Sequence, residues 1–148
     1  MKIFVASDHA GFELKEKLIP FIRELGYEIE DMGAYEINHD DDYPDYIASA
    51  AKAVAESGNM AVVLGGSGQG EAMVANRFPG VRAAVWYGGS EKILTLSRQH
   101  NDANVLSIGA RFVTTEEAQQ AVQTWLSTNF SGDERHMRRL KKIRDLHT

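Results

Sequence analysis

The stretch MAVVLGG, residues 60–66, carries no polar side chain on either face of an extended chain. A strand of that kind belongs in a sheet covered on both sides, whereas a half-exposed strand alternates apolar with polar residues. The rest of the chain supplies the covering layers in alternation. KIFVAS (2–7), the weaker YEIEDMG (27–33), VRAAVWY (81–87) and NVLSIGA (104–110) read as further strands. Between them lie segments with helical spacing. Leu14, Leu18, Phe21, Ile22 and Leu25 form one helix face, with Pro20 expected to kink it and Gly26 to stop it. PDYIASAAKAVAESG opens with Pro44 and puts Ile47, Ala50, Ala51 and Val54 on one face. A short helix is expected near 70–77, and another in SEKILTLSRQHN. TEEAQQAVQTWLSTNF aligns Ala118, Ala121, Val122, Trp125 and Leu126, with Thr114 or Thr115 and Glu117 at its cap. A basic helix over roughly 133–146 closes the chain. Strands alternating with helices imply an α/β fold: five parallel strands, doubly wound, with helices on both faces.

A chain of 148 residues fits a single domain, 1–148. Its net charge of −5 gives no basic field for nucleic acid. No apolar run reaches the ~20 residues that a membrane span needs, and the N-terminus lacks a signal-peptide pattern. There is no cysteine, so disulfides, thiolate metal sites and a catalytic thiol are excluded. A cytoplasmic protein is the simplest expectation.

In a doubly wound sheet, ligands bind beyond the carboxyl ends of the strands. That rule gathers Asp8 and His9, the loop Gly66-Ser67-Gly68-Gln69-Gly70, and Arg111 at one end. The loop lies at a strand-to-helix turn, where glycines let an anion approach backbone N–H groups. It matches neither the P-loop nor the G-x-G-x-x-G spacing, because no lysine follows and Glu71 stands where the last glycine would be. The alternative is a tight turn with Glu71 favoured at a helix N-terminus. SDHAG (7–11) is either a helix start capped by Ser7 or Asp8, or a polar contact with His9 able to move a proton. His100 and Asn101 suit a helix C-terminus as well as a site. Arg135 and Arg139 share a helix face and suit phosphate, although a solvated face is the usual meaning of a charge run. Met137, Leu140, Ile143 and Leu146 give that helix a thin apolar stripe. NHDDDYPD (38–45) has metal-site residue types without calcium-loop spacing and reads as a solvated acidic loop.

Taken together, SDHAGFELK, DYPDY, GGSGQGEAMVANR, SRQHNDANVLSIGAR and the terminal arginines resemble the ribose-5-phosphate isomerase B and galactose-6-phosphate isomerase family, over nearly the whole chain. The resemblance implies a Rossmann-like fold and aldose–ketose isomerisation of a sugar phosphate. It implies no metal or organic cofactor, and a homodimer or tetramer with active sites shared between subunits. The family uses either a cysteine just before the glycine loop, where Gly65 stands here, or a glutamate after it, where Glu71 stands. This chain looks like the glutamate type. By the same resemblance Asp8 and His9 contact the sugar, and Gly66, Ser67, Gly68, Gln69 and Gly70 cradle the oxyanion. His100 opens the ring, Asn101 holds a sugar oxygen, and Arg111, Arg135 and Arg139 hold the phosphate. Ribose 5-phosphate is the expected substrate, with galactose, allose and tetrose phosphates as alternatives. The stretch WYGGSEKIL (86–94) departs from the family. A flavodoxin-like sensor of a phosphorylated metabolite would use the same loop and arginines without needing a base. A cobalamin module would want D-x-H-x-x-G, whereas Asp8 and His9 are adjacent.

Overall fold

A computed structural model describes residues 1–147. Five strands form one parallel sheet: β1 (Lys2–Ser7), β2 (Glu28–Asp31), β3 (Met60–Gly65), β4 (Ala83–Trp86) and β5 (Val105–Gly109). Their spatial order is β2-β1-β3-β5-β4, so β5 inserts between β3 and β4. Burial explains the insertion. Every residue of β3 and β5 is buried, whereas β2 and β4, at the two edges, are partly exposed.

Alternate side chains of each strand serve opposite faces. Ile3, Val5, Val62, Leu64, Leu106 and Ile108 pack with Leu14, Leu18, Ile22, Leu94, Val122 and Trp125. These come from α1 (Phe12–Glu24), α4 (Lys92–Gln99) and α5 (Thr115–Ser127). Phe4, Ala6, Ala61, Val63 and Val105 pack with Ile47, Ala50, Ala51, Val54 and Ala75, from α2 (Tyr43–Ser57) and α3 (Gln69–Ala75). The chain leaves β1 on one face through α1 and enters β3 on the other through α2. That reversal opens the crevice between β1 and β3 in which doubly wound sheets bind ligands.

Helix α1 runs through Pro20, which sits on its exposed side, so the proline does not end the helix. Helix α5 opens with a capping box: Thr114 Oγ1 accepts from Glu117 N–H at 3.1 Å, and Glu117 Oε1 accepts from Thr114 N–H at 2.9 Å. The final helix, α6 (Glu134–Arg144), buries a single residue, His136.

Candidate active site

The turn after β1 and the glycine loop after β3 meet over the switch point. Asp8 caps a short 3₁₀ turn (His9–Gly11), its Oδ1 accepting from Ala10 N–H at 3.0 Å. With Ala10, Tyr43, Gly66, Ser67, Gly70, Glu71, Arg111 and Phe112, Asp8 and His9 line a cleft of about 500 Å³. Asp8 thus caps the turn, and the turn faces the cleft.

Glu71 is 3% exposed, in the first turn of α3. Its carboxyl packs against the Cα of Gly65, and a Cβ on residue 65 would land on that carboxyl. A side chain at 65 and a carboxyl at 71 thus compete for one volume. Burial raises the Glu71 pKa from its ordinary value, and the negative charge of Asp8 adds to the effect. The backbone N–H groups of Glu71 itself and of Gly68 oppose the shift.

The five loop residues expected to form a cradle are not placed alike. Gly66, Ser67 and Gly70 line the cleft, but Gly68 and Gln69 do not. Gly68 is the N-cap of α3 at φ 80°, a left-handed position that suits glycine, and its carbonyl accepts from Ser107 Oγ at 2.7 Å. The Gln69 N–H is taken by Ser67 Oγ at 3.3 Å. These two residues shape the turn from behind. Arg111, just past β5, donates its N–H to the Gly66 carbonyl at 3.2 Å and lays its guanidinium over Gly66.

The remaining candidates are elsewhere. His100, Asn101, Arg135 and Arg139 do not line this cleft. Helix α4 runs back from the carboxyl end of β4, so its C-cap His100 lies beside the amino end of β5. The five residues of β5 separate that end from Arg111 by about 16 Å. There His100 stacks on His136, ring centroids 4.2 Å apart and 18° from parallel. Arg135 Nε donates to His136 Nε2 at 3.4 Å, while Arg135 and Arg139 are exposed. Burial lowers the His136 pKa, and the positive charges of His100 and Arg135 lower it further. The helix-end reading of His100 also holds, but the left-handed residue there is Asp102, at φ 46°, rather than Asn101. Arg98 holds this end together: its Nη1 reaches Asp102 Oδ1 at 3.0 Å, and its Nε reaches the Thr128 carbonyl at 3.0 Å.

Local pattern does not single out the cleft-lining Tyr43 and Phe112, nor His136 and Asp41. His136 was passed over as part of a charge run. Asp41 was assigned to a solvated acidic loop, yet its side chain is 4% exposed and its Oδ1 lies 2.6 Å from His9 Nδ1. Thirty-two residues separate that pair, so no local spacing could have revealed it. Asp8, His9 and Asp41 present ligand atoms within 4.8 Å of one another. The 2.6 Å Nδ1–Oδ1 contact is a hydrogen bond, and it would have to open to admit a cation.

The family model described as Ribose/Galactose Isomerase matches residues 3–143. The chain is 41% identical over 141 residues to ribose-5-phosphate isomerase B of Mycobacterium tuberculosis, covering 95% of this chain and 86% of that one. It is 38% identical over 144 residues to the protein of the same name from Escherichia coli, covering 96% and 93%. A solved ribose-5-phosphate isomerase B from Clostridium thermocellum superposes with a TM-score of 0.93 at 39% identity, over 99% of this chain and 97% of that one. The Mycoplasma genitalium enzyme, solved with bound ribulose-5-phosphate, also gives 0.93, at 37% identity over 99% and 95%.

Proposed function

Since the chain belongs to the ribose/galactose isomerase family, we propose that it interconverts ribose 5-phosphate and ribulose 5-phosphate, with Glu71 as the base. The observation that carries this reading is the Glu71 carboxyl, buried against Gly65 at the edge of a cleft lined by backbone of the glycine loop. In the open-chain aldose, Glu71 removes the C2 proton. The electrons form the C1–C2 double bond, and O1 takes the negative charge. Transfer of the O2 proton to O1 exchanges the charge between the two oxygens. Glu71 then returns its proton to C1, leaving the C2 ketone. Backbone N–H groups of Gly66, Ser67 and Gly70 stabilise the enediolate oxygens. The base and the intermediate do not repel, because Glu71 is neutral while the enediolate exists. The raised pKa of Glu71 makes it a stronger proton acceptor than an exposed carboxylate.

His100 opens the sugar ring, Asn101 holds a sugar oxygen, and Arg135 and Arg139 grip the phosphate together with Arg111. Because His100 lies at the opposite end of the sheet from Glu71, these groups come from a second copy, and the site is complete in a homodimer. Converting ribose 5-phosphate in D₂O tests the chemistry. Deuterium should enter the carbon-bound positions at C1 or C2 as ribulose 5-phosphate forms. A protein that only senses sugar phosphate would bind without exchange, and that result would reject the isomerase reading. Mixing a Glu71→Gln protein with an Arg139→Ala protein tests the sharing. Exchanged heterodimers carry one undamaged site and should regain part of the activity, whereas proven exchange without recovery refutes a shared site.

A further inference from the structure

We propose that Asp41 is a positioning residue for the reaction: it fixes the His9 ring so that Nε2 is the nitrogen presented to the substrate. This rests on the isomerase reading and extends it to a residue outside the cleft lining. Both hydrogen bonds of the Asp41 side chain go to His9. Oδ1 accepts from the ring at 2.6 Å and from the His9 backbone N–H at 3.3 Å. An ionised carboxylate only accepts, so the ring proton in this contact sits on Nδ1. Nε2 is then the ring's remaining polar atom, on a residue that lines the cleft. In the neutral ring it carries a lone pair and accepts from a sugar hydroxyl. Without Asp41 the ring keeps its edge contact with His39, centroids 5.5 Å apart, but loses the hydrogen bond that fixes its tautomer, and that acceptor is lost for part of the time.

Fold stability does not account for a carboxylate here. The Asp41 side chain is buried in a stretch whose neighbours Asn38, His39, Asp40 and Asp42 are exposed. Its second oxygen, Oδ2, is buried with no hydrogen-bond partner among the described residues, an arrangement that costs stability. The surroundings of Asp41 are already negative: burial raises the pKa of the nearby Tyr46 phenol, and Asp45, Glu36 and Asp8 join Asp41 in raising it further. The group that gains from the carboxylate is His9.

The test measures kcat, KM and Tm for ribose 5-phosphate isomerisation by the wild type, D41A, D41N, H9A and the double variant D41A/H9A. D41A should lower kcat/KM about tenfold, the lower end of the loss when a functional histidine loses its orienting partner. The loss should fall mainly on KM. D41N should recover most of it, because the amide oxygen can accept the same Nδ1–H. The double variant should be no worse than H9A, since two residues acting as a unit are not additive. Tm of D41A should not fall, because the variant also removes the unpaired acceptor. Wild-type kcat/KM in D41A, or losses in D41A and H9A that multiply in the double variant, would overturn the proposal. So would a loss of activity that follows a loss of Tm and is absent at temperatures where D41A is folded. An active wild type with an unaffected D41A defeats this inference alone. A wild type inactive on every sugar phosphate defeats the isomerase reading along with it.

Discussion

The cleft at the carboxyl end of the sheet and the cluster at its amino end hold chemistry of equal promise on different supports. At the carboxyl end the main chain itself is the scaffold: Glu71 rests on Gly65, Gly68 is tied to Ser107, and Arg111 is tied to Gly66. At the amino end His100 leans on one buried histidine of a helix whose other residues are exposed or half-buried. Met137, Leu140 and Ile143 of that helix line a groove of about 280 Å³ with Val81 and Phe130. The cleft can place a proton-transferring group within its own chain. The arginines of the other end face outward, as residues completing a partner's site would. The proposed base and the proposed phosphate clamp should therefore fail differently when damaged.

The largest effect is expected at the cleft. Glu71→Gln should lower kcat by about 10²–10⁴-fold, the usual worth of a positioned general base, while binding persists. Turnover close to wild type would remove Glu71 from the mechanism and leave the two ends without a division of labour. His100→Ala should cost about 10²-fold on a substrate that must open its ring, at the low end of the same range. A four-carbon aldose phosphate, which cannot form that ring, should lose much less. Equal losses on both substrates would contradict ring opening as the role of the amino end.

Arg139→Ala should weaken binding by about 2 kcal/mol, roughly a thirtyfold rise in KM, as truncation of a charge-paired contact does. Its circular dichroism and melting should stay those of the wild type, because Arg139 is exposed in the chain. A large drop in Tm would make α6 part of the fold rather than a clamp. The smallest effect concerns stability. Because burial raises the Glu71 pKa, the folded state is favoured with that carboxyl protonated. The contribution is complete below the ordinary glutamate pKa of about 4.3 and is lost as pH rises through the raised value. Glu71→Gln should therefore melt a few degrees above wild type at about pH 8, with the gap closing on acidification. A gap that is absent at pH 8 would show that the loop N–H groups compensate the buried charge in full.

Much of this molecule was legible in its residues. The order of strands and helices follows from periodicity, and the Thr114–Glu117 box from a local motif. The glutamate at 71 stood out through the family resemblance, whose alternative base, a cysteine just before the glycine loop, this chain lacks. Gly68 and Gln69 were harder, since composition does not say which N–H groups of a loop are spent inside it. Asp41 was misread because an acidic run resembles a solvated surface until one of its members turns inward.

The sequence by itself determined the elements, the two-sided sheet and the residue types available for proton transfer, because local periodicity and composition encode them. Tertiary structure alone decided that β5 would displace β4 to the edge. It alone brought Asp41 to His9 and laid His136 on His100. It alone put His100 and Glu71 at opposite ends of one sheet. Each of these is a contact, or an exclusion, between segments tens of residues apart. Such relations are set by how faces pack and crossovers run, and no window of sequence short enough to show a period contains them.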